Sequence, residues 1–174
     1  MSTTSLTAVL IGPMAAGKTA VGRELAQRLD APFADLDALI VEAAGAPIPQ
    51  IFAEAGEPAF RELELRLLEE ALSTRTGVLA LGGGAPLSAR AGELLRDAPV
   101  VLLAADEQTV APRLRRAADR PLLAGDDPLA RWREITAARL PRYRDLARWT
   151  VDTTTGPPGL IACRIHDLIR EETA

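Results

Sequence analysis

Gly12-Pro13-Met14-Ala15-Ala16-Gly17-Lys18-Thr19 is the stretch that most restricts what this chain can fold into. It follows an apolar run, Ala8-Val9-Leu10-Ile11, and precedes a segment from Ala20 to Leu29 that reads as a helix. Buried strand, glycine-bounded loop and helix, in that order and with the spacing G-x-x-x-x-G-K-T, define a phosphate-binding loop. Backbone N–H groups of such a loop and of the first helical turn surround anionic oxygens. Lys18 is the chain's single lysine, and the other nineteen of its twenty basic residues are arginine. An ammonium reaches between the β- and γ-phosphates of a nucleotide as a compact point charge, where a planar guanidinium is too wide. The Thr19 hydroxyl is the natural ligand for Mg²⁺ in this pattern. A chance glycine turn before a helix does not account for strand, loop and helix all falling in order.

Strand and helix signals alternate from end to end. Pro32-Phe33-Ala34 reads as a short second strand, and Leu36 to Ala44 as a helix stopped by Gly45. Pro47 to Gly56 is predicted to be a loop with one helical turn around Ile51 and Phe52. Phe60, Leu63, Leu67 and Ala71 recur at helical spacing, so a long helix should end near Arg75. Val78 to Leu81 and Val100 to Leu103 are further buried strands, with a helix from Ser88 to Arg96 between them. Asp106 caps a helix running to Arg116, an arginine-rich loop reaches Gly125, and a second long helix covers Pro128 to Leu146. Thr150-Val151 is a short last strand, and Leu160, Ile161, Ile165, Leu168 and Ile169 mark a closing amphipathic helix. Short apolar strands alternating with helices predict a parallel sheet covered on both faces, a three-layer α/β fold. At 174 residues the chain suits one domain spanning 1–174.

In such a sheet ligands bind beyond the carboxyl ends of the strands. Three motifs fall there: the phosphate loop, Asp35-Leu36-Asp37 and Gly82-Gly83-Gly84. Asp35 and Asp37 can face the crevice together, one holding the Mg²⁺ shell and the other accepting a proton from a hydroxyl. A helix N-cap with an acid in the first turn explains the same pair, and spacing alone does not separate the two readings. Three consecutive glycines after a buried strand exceed what a turn needs, and they let a ligand approach the backbone. Arg61, Arg120 and Arg139, taken singly, read as surface arginines. Trp132, Trp149 and Tyr143 read as packing anchors, with the Tyr143 hydroxyl at the surface. His166 and Cys163 read as structural.

Charge and composition narrow the function further. A net charge of −4 argues against a general nucleic-acid binder, yet residues 113–148 carry ten arginines against five acids. A local positive segment on an acidic protein suggests recognition of small anions, with about half of these arginines serving surface ion pairs. No apolar run approaches the roughly 18 residues of a membrane span, and the N-terminus lacks the layout of a signal peptide. Lone Cys163 forms no internal disulfide, which suits a reducing cytoplasm.

Together the phosphate loop, Asp35-x-Asp37, Phe60-Arg61-x-x-Glu64, Gly82-Gly83-Gly84, Asp119-Arg120-Pro121-Leu122-Leu123 and Arg139-x-Pro141-x-Tyr143 resemble the shikimate kinases in order and spacing, from about Leu10 to Asp152. The resemblance implies a P-loop kinase fold like that of nucleoside monophosphate kinases, with a mobile lid at about 112–124. It implies that Ala15, Ala16, Gly17, Lys18, Thr19 and Ala20 hold the ATP phosphates, and that Thr19 and Asp35 place Mg²⁺. Asp37 would bind the shikimate hydroxyls beside the one that attacks. Arg61 and Arg139 would hold the carboxylate, and Gly83 and Gly84 would line the acceptor site. Arg120 would arrive with the lid, and Arg113 would stack on adenine. Lys18, Asp37 and Arg120 are thus the expected catalytic residues.

Two departures from the family pattern stand out. Ala15 occupies a position where these kinases usually carry glycine, so a positive φ there would add strain. The Thr153 to Pro158 stretch lacks the basic residue often seen in the adenine-facing loop. The rival readings are another small-molecule kinase, such as one acting on gluconate, and a non-catalytic ATP-binding regulator. A switch GTPase would need Asn-Lys-x-Asp, and the chain contains no asparagine. With no apolar stripe demanding a partner, a cytoplasmic monomer is expected.

Overall fold

The period-two alternation of the apolar strands decides which residues face which layer. Val9, Ile11, Leu79, Leu81, Val100 and Leu102 point into one buried cluster. Ala8, Leu10, Val78, Val101 and Leu103 point into the other. A strand buried on both sides must be covered twice, so helices lie on both faces. The structure, a computed structural model, describes residues 5–116 and 127–173.

Among the described residues the order is β1 (Leu6–Ile11), α1 (Lys18–Arg28), β2 (Phe33–Asp35), α2 (Leu36–Ala44), α3 (Ile48–Thr74) and β3 (Gly77–Ala80). A 3-10 turn (Ala85–Leu87) follows, then α4 (Ala89–Leu95), β4 (Val100–Ala104), α5 (Glu107–Arg116), α6 (Pro128–Leu146), β5 (Trp149–Asp152) and α7 (Pro158–Thr173). All strand pairs are parallel and the sheet order is β2-β3-β1-β4-β5. Buried residues of α1 and α7 (Val21, Leu25, Ile161 and Ile165) close one face. Those of α2, α3 and α4, with Tyr143 of α6, close the other. This is the expected three-layer α/β fold. No single helix among the described residues is long and apolar enough to cross a membrane.

Register aligns the site. Asp35 pairs with Ala80, Ala80 with Leu10, and Leu10 with Val101. The loops leaving β1, β2 and β3 therefore start within about two residues of one rung, and their first residues meet at one edge of the sheet.

One predicted loop is in fact helical. Residues 48–55 form the first part of α3, with Pro47 extended at the N-cap. Two helical segments meet at Gly56 (φ 81°, ψ 169°), and Pro58 falls in the opening turn of the second. Proline and glycine in the sequence correctly mark an interruption. Ile51 is buried, and the Phe52 and Phe60 rings lie 4.5 Å apart across the break, so packing makes the first segment a helix. The kink matters because Arg61 follows it closely. Among the described residues the remaining boundaries agree with the sequence reading within a few residues, including Gly45 in the left-handed region at the end of α2; the arginine-rich loop expected to reach Gly125 lies outside them.

Candidate active site

Four successive carbonyls of the phosphate loop accept hydrogen bonds from side chains. Lys18 Nζ donates to Gly12 O at 2.9 Å and Pro13 O at 2.8 Å. The Trp132 indole N–H donates to Met14 O at 2.8 Å, and Arg113 donates to Ala15 O at 2.8 Å. Gly17 at the N-cap of α1 and Ala15 within the loop have φ of 94° and 63°. The condition attached to Ala15 is met: alanine sits in the left-handed region, at a cost of roughly 1 kcal/mol that glycine would avoid.

The next shell is built by the start of α2. Asp35 caps that helix, its Oδ1 accepting from Asp37 N at 3.0 Å while its Oδ2 accepts from the Thr19 hydroxyl at 2.6 Å. The cap reading of the acid pair is realised at Asp35, whose other carboxylate oxygen faces the phosphate loop. Lys18, Thr19, Asp35, Asp37, Gly82, Gly83 and Arg113 line a common cleft of about 330 Å³.

Beyond Asp37 the arginines gather around the glycines. A Cβ added to Gly82 would lie 2.7 Å from Asp37 Oδ1 and 3.5 Å from Glu64 Oε1. One added to Gly83 would meet Arg139 at 3.4 Å and the Tyr143 hydroxyl at 3.5 Å. On Gly84 it would fall within 2.6 Å of the Arg61 guanidinium carbon. The glycines make room for the side chains of the site. Arg61 and Arg139, unremarkable singly, stand over the same backbone turn.

Two groups emerge here with a role that spacing did not disclose. Glu64, only 4% exposed, accepts from Arg61 at 2.7 Å. Burial pushes its carboxyl above the usual range; Arg61 opposes the shift through charge and hydrogen bond, and neighbouring Asp37 adds to it. Its position three residues after Arg61 on one helix was the available signal. The Tyr143 hydroxyl, expected at the surface, is instead buried and donates to Gly83 O at 2.6 Å. Burial pushes its pKa above the ordinary tyrosine value, with Arg139 opposing, so it stays a neutral donor. Trp132 is likewise more than packing, whereas Trp149 packs against the α1/α7 layer. Cys163 and His166 lie on α7 and do not line the cleft. The 153–158 loop carries no cation of its own, but Arg164 of α7 reaches the Thr155 hydroxyl at 3.3 Å. Arg120, and residues 117–124 of the expected lid, lie outside the described residues.

A parallel sheet carrying a phosphate loop, with an acid and two arginines at the far end of the cleft, defines a P-loop kinase of small molecules. A family model described as shikimate kinase matches residues 14–170. The shikimate kinase of Saccharopolyspora erythraea is 44% identical over 96% of this chain and 95% of that protein. That of Neisseria gonorrhoeae is 47% identical over 83% and 86%. The Acinetobacter baumannii shikimate kinase in complex with shikimate superposes with a TM-score of 0.92 at 38% identity, covering 98% of this chain and 96% of that one. The chain belongs to the shikimate kinase family and is an ATP-dependent phosphotransferase. A gluconokinase from Sinorhizobium meliloti, at TM-score 0.63 and 19% identity, shares the fold alone, so the gluconate alternative is disfavoured.

Proposed function

We propose that this chain transfers the terminal phosphoryl group of ATP to the 3-hydroxyl of shikimate. The observation that carries the reading is the meeting of Asp37, Arg61 and Arg139 around Gly82 to Gly84, at the end of a cleft that begins at Lys18. Two guanidinium forks match a planar carboxylate, and a carboxylate beside them suits a hydroxyl-bearing ring. Arg61 and Arg139 hold the acceptor's carboxylate; Asp37 binds its hydroxyls and takes the proton of the attacking one as the new O–P bond forms. The bond from the γ-phosphorus to the bridging oxygen breaks and ADP leaves. Lys18, with the backbone of Ala15 to Ala20, offsets the charge on the phosphates. Glu64 orients Arg61, and Gly83 and Gly84 let the acceptor approach the backbone. Arg113 serves the adenine side.

The hydroxyl of Thr19 and the carboxylate of Asp35, oxygen donors 2.6 Å apart, suit a hard cation, and we assign Mg²⁺ to them. When bound, Mg²⁺ would neutralise phosphate oxygens. Arg120 and a lid at 112–124 complete the assignment, with closure keeping water from the γ-phosphate. One domain over 1–174, acting as a cytoplasmic monomer without nucleic acid or membrane, fits this role.

ADP release measured with shikimate, with gluconate and with neither tests the reading. Shikimate-dependent turnover is expected, and equal turnover with gluconate would overturn the substrate. Asp37→Asn should lower kcat far more than ATP affinity, whereas Asp35→Asn should raise the Mg²⁺ requirement. Identical behaviour of the two across a Mg²⁺ titration would refute the division between them.

A further inference from the structure

Ala15 adopts φ 63°, and besides the Ala16 N–H to Pro13 O hydrogen bond within the loop (3.3 Å), both peptide planes beside it are engaged by side chains from outside the loop. Its two dihedrals are the rotations of the flanking peptide planes about one Cα. The Met14–Ala15 plane carries Met14 O, which accepts from the indole of Trp132. The Ala15–Ala16 plane carries Ala15 O, which accepts from Arg113. Both donors are remote in sequence, 118 and 98 residues away. Each plane that defines the unfavourable rotation is thus gripped by a side chain.

The two grips differ in firmness. Arg113 is exposed. Trp132 is 3% exposed and packed with Val110 and Leu114, and Met14 and Ala15 themselves pack against that cluster. The indole can neither swing to water nor find its partner elsewhere without unpacking. In a trans peptide the carbonyl and the following N–H point in opposite directions. Holding Met14 O on the indole therefore sets the direction of the Ala15 N–H, a donor of the loop that lines the cleft. A loop with glycine here would adopt the left-handed conformation unaided.

We infer that Trp132 is a positioning residue of the phosphate loop: its indole N–H locks the Met14–Ala15 peptide in the orientation that nucleotide binding requires, and alanine at position 15 makes the chain depend on it. The inference rests on the reading of residues 12–19 as the ATP-phosphate site.

Calorimetric titration with ATP and Mg²⁺, together with steady-state kinetics, tests it on wild type, Trp132→Phe and Trp132→Phe/Ala15→Gly. Phenylalanine keeps the ring and loses the donor. Loss of one such hydrogen bond should weaken ATP binding and raise the KM for ATP about three- to ten-fold. The KM for shikimate should stay within two-fold, roughly the scatter of one weak contact. Adding Ala15→Gly should return most of the lost ATP affinity, because glycine no longer needs the plane to be held. Unchanged ATP affinity in Trp132→Phe, equal losses for both substrates, or no recovery in the double variant would each overturn the inference. If wild type itself does not bind ATP, the reading of the loop falls, and the inference with it. If Trp132→Phe does not fold, the benzothienyl analogue of tryptophan, with sulfur in place of the indole N–H, is placed at position 132 and read by the same titration.

Discussion

Lys18 shows how much one side chain is asked to do. Its ammonium donates to the carbonyls of Gly12 and Pro13 and so braces the loop it belongs to. A guanidinium carries the same charge on a wider, planar frame and cannot occupy that point. Lys18→Arg is expected to leave the circular-dichroism spectrum unchanged while raising the barrier to phosphoryl transfer by roughly 3 kcal/mol or more. A variant retaining most of the wild-type kcat would refute the assignment. At the other end of the cleft, Arg139→Ala should weaken shikimate binding by about 2–5 kcal/mol, as when one partner of a buried charged pair is truncated. That is roughly thirty-fold to several-thousand-fold in affinity. Arg139→Lys should recover only part, since it offers no bidentate fork. ATP affinity without shikimate should barely move. Equal loss for both ligands in separate titrations would mean that Arg139 supports the whole crevice.

At the scale of elements, the site is the meeting of a kinked helix with a glycine turn. Gly56 breaks α3, Pro58 restarts it, and Arg61 then stands against the turn that follows β3. Gly84 yields the volume that the Arg61 guanidinium occupies. Its φ is −90°, an angle that alanine adopts freely, so Gly84→Ala acts by volume and not by backbone strain. The displaced group is the end of a flexible side chain, so stability should fall by no more than about 1 kcal/mol. If Arg61 holds the carboxylate as proposed, shikimate affinity should fall at least ten-fold, about 1.4 kcal/mol, with the loss of one fork. Thermal unfolding and a shikimate titration on the same sample separate the two effects. A variant that loses stability but keeps affinity would show that the turn does not set the arginine.

Across the whole molecule, the site carries a cost that pH exposes. Glu64 is buried between α3 and the sheet edge, and its carboxyl lies above the ordinary value of 4.5, chiefly through burial. The folded state therefore holds this proton more tightly than the unfolded chain does. Its contribution to stability is fully present below the unfolded value and is lost as pH rises through the raised folded value. Glu64→Gln keeps an oxygen to accept from Arg61 and removes the titration. The melting temperature of the variant relative to wild type should thus climb as pH rises across that window and level off above it. A difference that is flat with pH, or that falls, would contradict the burial of a charged carboxylate there.

The chain's own letters determined the layers and the loop. Apolar runs alternating with helical spacing dictate a doubly covered parallel sheet, and G-x-x-x-x-G-K-T after Ile11 dictates an anion cradle, because both are local patterns with one physical solution. Gly45, Ser88, Asp106 and Pro128 mark helix ends for the same reason: caps act within a few residues. What only the tertiary structure decided is which distant groups meet. The helical state of residues 48–55 comes from Phe52 packing on Phe60. The burial of the Tyr143 hydroxyl on Gly83 and the holds of Arg113 on Ala15 and of Trp132 on Met14 span up to 118 residues of chain. A hydrogen bond between remote groups depends on register and helix packing summed over the whole sheet, and no short window of sequence contains that sum.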